Sequence, residues 1–138
     1  MSHPTERGLL DTSTLIMLAG LSPESLPAEP DICSITLAEL SVGPLVTTDD
    51  AVRAARQAHL QQAEADFDPI PFDAEAARAF GTIAATLRTS GRKPAARAYD
   101  ALIAAVGLAR SLPLYTANPR DFADLPGLDV YAVRTAEA

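Results

Sequence analysis

Five side chains that carry oxygen ligands stand out because of their positions in the chain. Asp11 directly follows a short apolar segment, and Asn118 and Asp121 follow another. Glu39 and Asp100 lie inside apolar helical segments, ITLAEL and AYDALIAAV. A carboxylate in such surroundings is costly unless it is paired with a cation or a metal. Oxygen ligands select hard cations such as Mg²⁺ or Mn²⁺, so these residue types indicate metal-dependent phosphoryl chemistry.

The elements that must position these side chains alternate between short strands and helices. Strands are predicted at 7–10, 31–34, 113–116 and 128–133, with a strand-like segment interrupted by prolines at 67–72. Helices are predicted at 15–19, 36–42, 50–65, 74–89 and 96–110, and a turn at 118–123. This alternation is typical of an α/β fold whose largely parallel sheet is covered by helices on both faces.

Such sheets bind ligands at the carboxyl ends of their strands. Asp11 and Asn118 both fall at such ends, and the two strands that precede them can be neighbours in the sheet. The sequence therefore predicts a functional site at this edge.

Prolines and capping residues predict where elements begin and end. Segment 21–30 is predicted to be an irregular loop because it contains three prolines: Pro23, Pro27 and Pro30. The cluster TST at 12–14 is predicted to cap the first helix, and Asp73 the long helix that follows it.

The composition limits the classes of protein that the chain can represent. Its 138 residues predict one domain, 1–138, with frayed ends at 1–6 and 134–138. A formal net charge of −7 argues against coating nucleic acid through bulk positive charge. The single cysteine, Cys33, excludes a disulfide framework and fits a reducing cytosol. Because no long apolar run is present, we expect a cytoplasmic protein with no membrane segment.

Four segments, in this order and spacing, resemble the motifs of PIN-domain ribonucleases, specifically the VapC-type toxins of bacterial toxin–antitoxin pairs: LLDTSTLI, ITLAELSVG, AYDALIAA and LYTANPRDF. The resemblance extends from Arg7 to Val133 and implies a PIN-like fold. It also implies a Mg²⁺-dependent endoribonuclease, with Mn²⁺ as a substitute, that cuts a structured RNA such as a tRNA or a ribosomal RNA loop. The implied partners are a second copy of the chain and a VapB-like antitoxin that presents a cation to the acids.

The resemblance also implies roles for individual residues. Asp11 and Asp100 would be the principal metal ligands. Glu39 would complete the acidic cluster and orient or activate water. The fourth position falls in TANPRDF, where either Asn118 or Asp121 can fill it. An asparagine still offers a carbonyl oxygen to Mg²⁺ but removes one negative charge.

Further residues are implied or predicted around these acids. By resemblance, Thr116 lines the site, and Thr12 or Ser13 is a hydrogen-bond partner of Asp11. RNA binding is predicted for Thr116 and for basic residues near the acids, namely Arg92, Arg97 and Arg120. Arg92 and Arg97 belong to the most basic stretch of the chain, which also includes Arg88 and Lys93. A solvated helix end is an alternative explanation for Arg88 and Arg92.

Each acid also has a purely structural interpretation. Asp11 can be the N-cap of a helix, Glu39 part of a solvated helix face, and Asp100 the i+3 partner of Arg97. Asn118 and Asp121 can simply belong to a turn. The two histidines, His3 and His59, are predicted to be surface residues without a catalytic partner.

Two other classes of protein with an acidic pocket on a similar sheet fit this sequence poorly. A haloacid-type phosphatase needs an acid two residues after Asp11, where Ser13 stands. A receiver domain needs a lysine after a late strand, whereas Lys93 precedes a helix. A non-catalytic PIN-like binding module remains an alternative because Asn118 lacks a charge, and a nuclease that acts on DNA remains another.

Overall fold

The computed structural model describes residues 5–91 and 98–137. Four strands form one parallel sheet in the order β2-β1-β3-β4: β1 (Arg7–Leu10), β2 (Glu29–Asp31), β3 (Leu114–Thr116) and β4 (Val130–Ala132). The helices are α1 (Thr12–Met17), α2 (Ser34–Val42), α3 (Asp50–Asp66), α4 (Ala74–Thr89) and α5 (Ala98–Arg110). This arrangement confirms the predicted α/β fold.

Alternate residues of the central strands pack into two separate apolar clusters. Leu9 and Leu114 belong to a cluster with residues of α4 and α5, whereas Leu10 and Tyr115 belong to one with residues of α1, α2 and α3. The sheet is therefore covered on both faces, as predicted for parallel strands. Within residues 5–91 and 98–137, no helix has both the length and the apolar character needed to cross a bilayer.

The sheet has a topological switch point between its two central strands. From β1 the chain proceeds to β2 at one edge, whereas β3 lies on the other side of β1 and leads to β4. The crevice outside the carboxyl ends of β1 and β3 is where α/β proteins of this kind bind ligands. Leu10 pairs with Tyr115, so the next residues, Asp11 and Thr116, meet in that crevice.

The segment 21–30 is more regular than its prolines predicted. Pro23–Ser25 forms a 3₁₀ turn, and Pro30 lies within β2. Strand β2 therefore begins and ends earlier than the strand predicted at 31–34. Strand β2 lies at the edge of the sheet, where a proline is tolerated because the open side makes no ladder hydrogen bond. The prediction of an irregular loop was wrong for these residues.

The strand-like segment predicted at 67–72 contributes a single parallel bridge, in which Ile70 pairs with Cys33. Two backbone hydrogen bonds hold it, from Ile70 N to Ile32 O (2.9 Å) and from Ser34 N to Ile70 O (2.8 Å). The prolines on both sides of Ile70 lack the N–H groups that would extend this pairing.

The first helix begins earlier than the TST cluster predicted. Helix α1 starts at Thr12, and its N-cap is Asp11, whose carboxylate accepts a hydrogen bond from Thr14 N. The capping prediction for 12–14 was therefore wrong, because Asp11 is the N-cap of α1. Asp73 caps α4 as predicted, accepting from Ala76 N at 3.0 Å.

Gly8 allows the two central strands to approach closely, which leads to a prediction about stability. A Cβ atom at this position would lie 2.6 Å from Cδ1 of Tyr115. The ring of Tyr115 has little freedom to move, because its hydroxyl accepts from Thr5 N at 2.7 Å and its ring stacks on Tyr131 at 5.1 Å. We expect Gly8→Ala to lower the free energy of unfolding by about 1–3 kcal/mol, the usual cost of overpacking.

Chemical denaturation monitored by circular dichroism measures this effect. Gly20→Ala is the matched control, because a Cβ at Gly20 meets nothing within 4 Å. Equal stability of the two variants would contradict the close approach at Gly8.

Candidate active site

Asp11 is a buried carboxylate at the switch point, with 4% of its surface exposed. Its Oδ1 accepts from Thr14 N at 3.1 Å, and its Oδ2 accepts from Thr116 Oγ1 at 2.6 Å. No cationic side chain in the described ranges forms an ion pair with it. A buried charge held by neutral donors alone is well placed to receive a cation.

Thr116 fixes the orientation of this carboxylate. Its hydroxyl is fully buried and accepts a hydrogen bond from Asn118 N at 3.0 Å, so its own proton is directed to Asp11. Of the two predicted partners of Asp11, Ser13 Oγ lies at the long distance of 3.5 Å from Oδ1, and Thr12 Oγ1 points elsewhere. Thr116 was predicted to line the site, but its hydrogen bond to Asp11 was not predicted.

Glu39 is hydrogen-bonded to Thr12, the residue that follows Asp11 in the chain. The Thr12 hydroxyl donates to Glu39 Oε1 at 2.6 Å and lies 3.2 Å from Thr36 Oγ1. Glu39 is half-buried, and Thr36 is fully buried. The first turn of α1 and the middle of α2 are thus linked by side-chain hydrogen bonds, which a fully solvated helix face would not provide.

Asp100 lies at the same edge of the sheet because helix α5 runs back from that edge toward the start of β3. Helix α5 ends at Arg110, shortly before β3 begins at Leu114, so its last turn lies at the amino ends of the strands. Thirteen helical residues span about 20 Å, which returns the first turn to the carboxyl ends. Asp100 is half-buried in that first turn, and α5 packs against α2, the helix that carries Glu39.

The residues of TANPRDF lie in the loop that leaves β3. Asn118 is exposed, and its side chain makes no capping hydrogen bond to the 3₁₀ turn Pro119–Phe122. Asp121 is half-buried in that turn, and its backbone N donates to Asn118 O at 3.0 Å. Arg120 is exposed. The choice between Asn118 and Asp121 for the fourth position remains a prediction.

The predicted RNA-binding residues Arg92 and Arg97 lie outside the described residues. The proposed pairing of Asp100 with Arg97 falls there as well, as does Lys93.

The donor atoms at this edge fit a hard divalent cation. Among residues 5–91 and 98–137, no three His, Cys, Asp or Glu side chains are close enough together to surround one ion. Mg²⁺ needs no such cage, because it usually keeps several waters and binds through one or two carboxylates. Asp11 Oδ1 accepts from Thr14 N and, at 3.5 Å, from Ser13 Oγ, whereas Oδ2 accepts only from Thr116 Oγ1 among the described residues. A carboxylate offers about four lone-pair positions, so acceptor capacity remains for a metal or its water.

Cys33 is not suited to nucleophilic chemistry at this edge. The side chain is fully buried at the start of α2, and burial raises the pKa of its thiol. A thiol that stays protonated is a poor nucleophile, which is consistent with a structural role in the core.

Two side chains of α3 that were not predicted as site residues lie beside Glu39. Arg56 and His59 line a cavity of ≈150 Å³ together with Thr12 and Glu39. His59 is exposed, as predicted, although it also borders this cavity. No local pattern signals this juxtaposition, because it depends on how α3 packs across α2.

Removal of the Thr116 hydroxyl is expected to weaken both the site and the fold. Thr116→Val keeps the shape of the side chain but leaves Asp11 Oδ2 without its 2.6 Å donor. A buried acceptor that loses its partner costs about 1–3 kcal/mol, so we expect a lower melting temperature. We also expect the nuclease activity implied by the resemblance to fall roughly 10- to 100-fold, the usual cost of losing a partner that orients a metal ligand.

Thr116→Ser, which retains the hydroxyl, is the matched control. Measurement of melting temperature and cleavage rate for both variants tests the contact. Equal behaviour of the valine and serine variants would contradict a role for the hydroxyl.

Comparison with known proteins agrees with this geometry. Residues 9–128 match the model of the PIN domain, and the chain belongs to the PIN-domain family. It is 38% identical over 130 residues to Ribonuclease VapC5 of Mycobacterium tuberculosis, which covers 92% of this chain and 93% of that protein.

Solved structures give the same result. The crystal structure of the toxin–antitoxin family member VapBC-5 from Mycobacterium tuberculosis superposes with a TM-score of 0.78 at 38% identity, covering 94% of this chain and 99% of that one. VapBC2 from Rickettsia felis, bound to a DNA fragment from its promoter, shares the fold with a TM-score of 0.71 at 23% identity, covering 91% and 98% of the two chains. The VapC-type resemblance of the four motifs is thereby confirmed.

Proposed function

We propose that this chain is a Mg²⁺-dependent endoribonuclease, the toxin of a VapBC-type toxin–antitoxin pair in the cytoplasm. The observation that carries the proposal is the buried carboxylate of Asp11 at the switch point, oriented by Thr116. The next residue, Thr12, donates a hydrogen bond to the second acid, Glu39. The similarity to Ribonuclease VapC5 supports the choice of RNA as the substrate. A tRNA or a ribosomal RNA is the proposed class of target.

Asp11 and Asp100 would hold the metal ion, with Asn118 or Asp121 as a further ligand. When bound, a divalent ion lowers the pKa of a coordinated water and offsets charge on the phosphodiester. Thr116 keeps the Asp11 carboxylate in a fixed orientation. Glu39 uses Oε1 to accept from Thr12, which leaves Oε2 to accept a proton from the attacking water.

The surface of this chain contains a groove that the proposed antitoxin can occupy. Helices α1 and α3 enclose an apolar cavity of ≈440 Å³ lined by Leu15, Ile16, Leu18, Ala63 and Phe67, among others. Ile16 and His59 also line the small cavity that contains Glu39, so the two cavities adjoin. A VapB-like segment that follows this groove would bring a basic side chain to the acids, and a homodimer is part of the proposal.

Incubation of purified, antitoxin-free protein with total cellular RNA tests the proposal. We expect discrete cleavage products with Mg²⁺ or Mn²⁺ and none with EDTA. Single-stranded DNA in a parallel reaction should remain intact, and its cleavage would favour the DNA nuclease alternative. Intact RNA after incubation with folded protein and Mg²⁺ would contradict the proposal.

A non-catalytic binding module is the second candidate. The neutral Asn118 favours it, as does the separation of the acids within the described residues. Such a module would bind the antitoxin but show neither divalent-metal affinity nor RNA cleavage.

A further inference from the structure

The cavity beside Glu39 brings together three helices. Thr12 and Ile16 come from α1, Glu39 from α2, Gly43 from the turn after α2, and Arg56 and His59 from α3. Glu39 and Gly43 are four residues apart, and Arg56 and His59 three apart, so each pair lies on one helical face. A cation is therefore placed next to the acidic site by a helix that carries none of the predicted site residues.

Arg56 is held in place across this cavity. Its Nη1 donates to Gly43 O at 2.9 Å, and its side-chain carbons pack where a Cβ of Gly43 would lie, with Cδ at 3.1 Å. A guanidinium that is already anchored loses less conformational freedom when it binds a ligand.

The charge of Arg56 is not neutralised by the protein. Within the part of the chain that the structure describes, no carboxylate lies within ion-pair distance of it, and its Nε and Nη2 groups donate to no protein atom. By contrast, Arg53, one turn earlier, pairs with Asp50 and donates to the carbonyls of Thr47 and Pro44. The free N–H groups of Arg56 thus remain available to a ligand.

A chain with a net charge of −7 and an acidic site repels RNA, and each phosphate next to the scissile one must be held against that repulsion. A planar guanidinium matches the geometry of a phosphate group. We propose that Arg56 binds an RNA phosphate adjacent to the scissile one, so that the strand crosses Glu39 along the α2–α3 face. This inference rests on the proposed ribonuclease activity and adds a substrate contact to it.

Two measurements on a labelled single-stranded RNA test the contact. Cleavage kinetics with Mg²⁺ give KM and kcat, and fluorescence anisotropy with Ca²⁺ in place of Mg²⁺ gives Kd over a series of salt concentrations. For Arg56→Gln, we expect Kd and KM to rise roughly three- to tenfold, with a smaller change in kcat. The slope of log K against log salt should decrease in magnitude by about 0.7, the value for one phosphate contact on a single strand.

Arg78→Gln is the matched control because it removes one exposed positive charge from α4, on the opposite face of the sheet. Arg56→Lys keeps the positive charge but lacks the planar guanidinium group. Its Kd for the RNA should therefore lie between those of the wild type and the glutamine variant. If Arg56→Gln matches either the wild type or Arg78→Gln in Kd and salt slope, the phosphate contact of Arg56 is excluded. The proposed ribonuclease activity is not contradicted by that result. RNA that is neither bound nor cut by the wild type would overturn both.

Discussion

Asp11→Asn is expected to reduce RNA cleavage by roughly 10²–10⁴-fold, because loss of the charged ligand removes several kcal/mol of metal-dependent transition-state stabilisation. Asp11 is the most buried of the predicted acids and lies between the two central strands. Initial rates on a defined RNA at saturating Mg²⁺ measure the effect. No other single change at this edge should cost more activity.

The fold should survive this substitution. Asparagine caps helices about as well as aspartate, and its Oδ1 can still accept from Thr14 N. Its amide can donate to Thr116 Oγ1, which has acceptor capacity. Asp73→Asn is the control, since Asp73 is the N-cap of α4 on the other face of the sheet. An Asp11→Asn protein that cuts RNA at the wild-type rate would exclude Asp11 from the chemistry.

Asp100→Asn has the second-largest expected effect, a loss of roughly 10²–10³-fold in cleavage with the fold retained. Asp100 is half-buried in the first turn of α5, at the edge of the sheet where Asp11 lies. An acid in a first turn also interacts favourably with the helix dipole, so the two roles must be separated. Asp50→Asn provides the control, because Asp50 occupies the first turn of α3 with a side chain that is 95% exposed.

A helix-dipole role alone would lower the melting temperatures of both variants and leave cleavage unchanged.

A metal ion shared by the two acids leads to a further prediction, on the double variant. If Asp11 and Asp100 hold the same ion, the double variant should be no slower than the worse single variant, because the second substitution has nothing left to remove. Rate losses that multiply would contradict a shared ion.

The order of strands and helices was largely predictable from sequence because alternating apolar segments and capping residues are local signals. The predicted ends of these elements were wrong where contacts distant in sequence decide the structure. Pro30 fits a strand only because β2 is an edge strand. Asp11 rather than the TST cluster caps α1, because the hydroxyls of Thr12 and Thr14 bond instead to Glu39 and to Ala117 N.

The site was predictable in part for a similar reason. Acids at strand ends could be placed at one edge by the general rule for parallel sheets, but the contact of Asp11 with Thr116 joins residues 105 positions apart and needed the strand order. Arg56 and His59 carry no such signal. They lie on a polar, exposed helix, and only the packing of α3 across α2 brings them to Glu39.

Divalent-metal binding by the purified protein is the most direct test of the central claim that the carboxylates at this edge hold a catalytic ion. Electron paramagnetic resonance follows free Mn²⁺ during titration into wild type, Asp11→Asn and the exposed-carboxylate control Asp68→Asn. We predict saturable binding by the wild type and the control, competition by Mg²⁺, and strongly weakened binding by Asp11→Asn. Equal Mn²⁺ binding by all three proteins, or none by the folded wild type, would contradict the account.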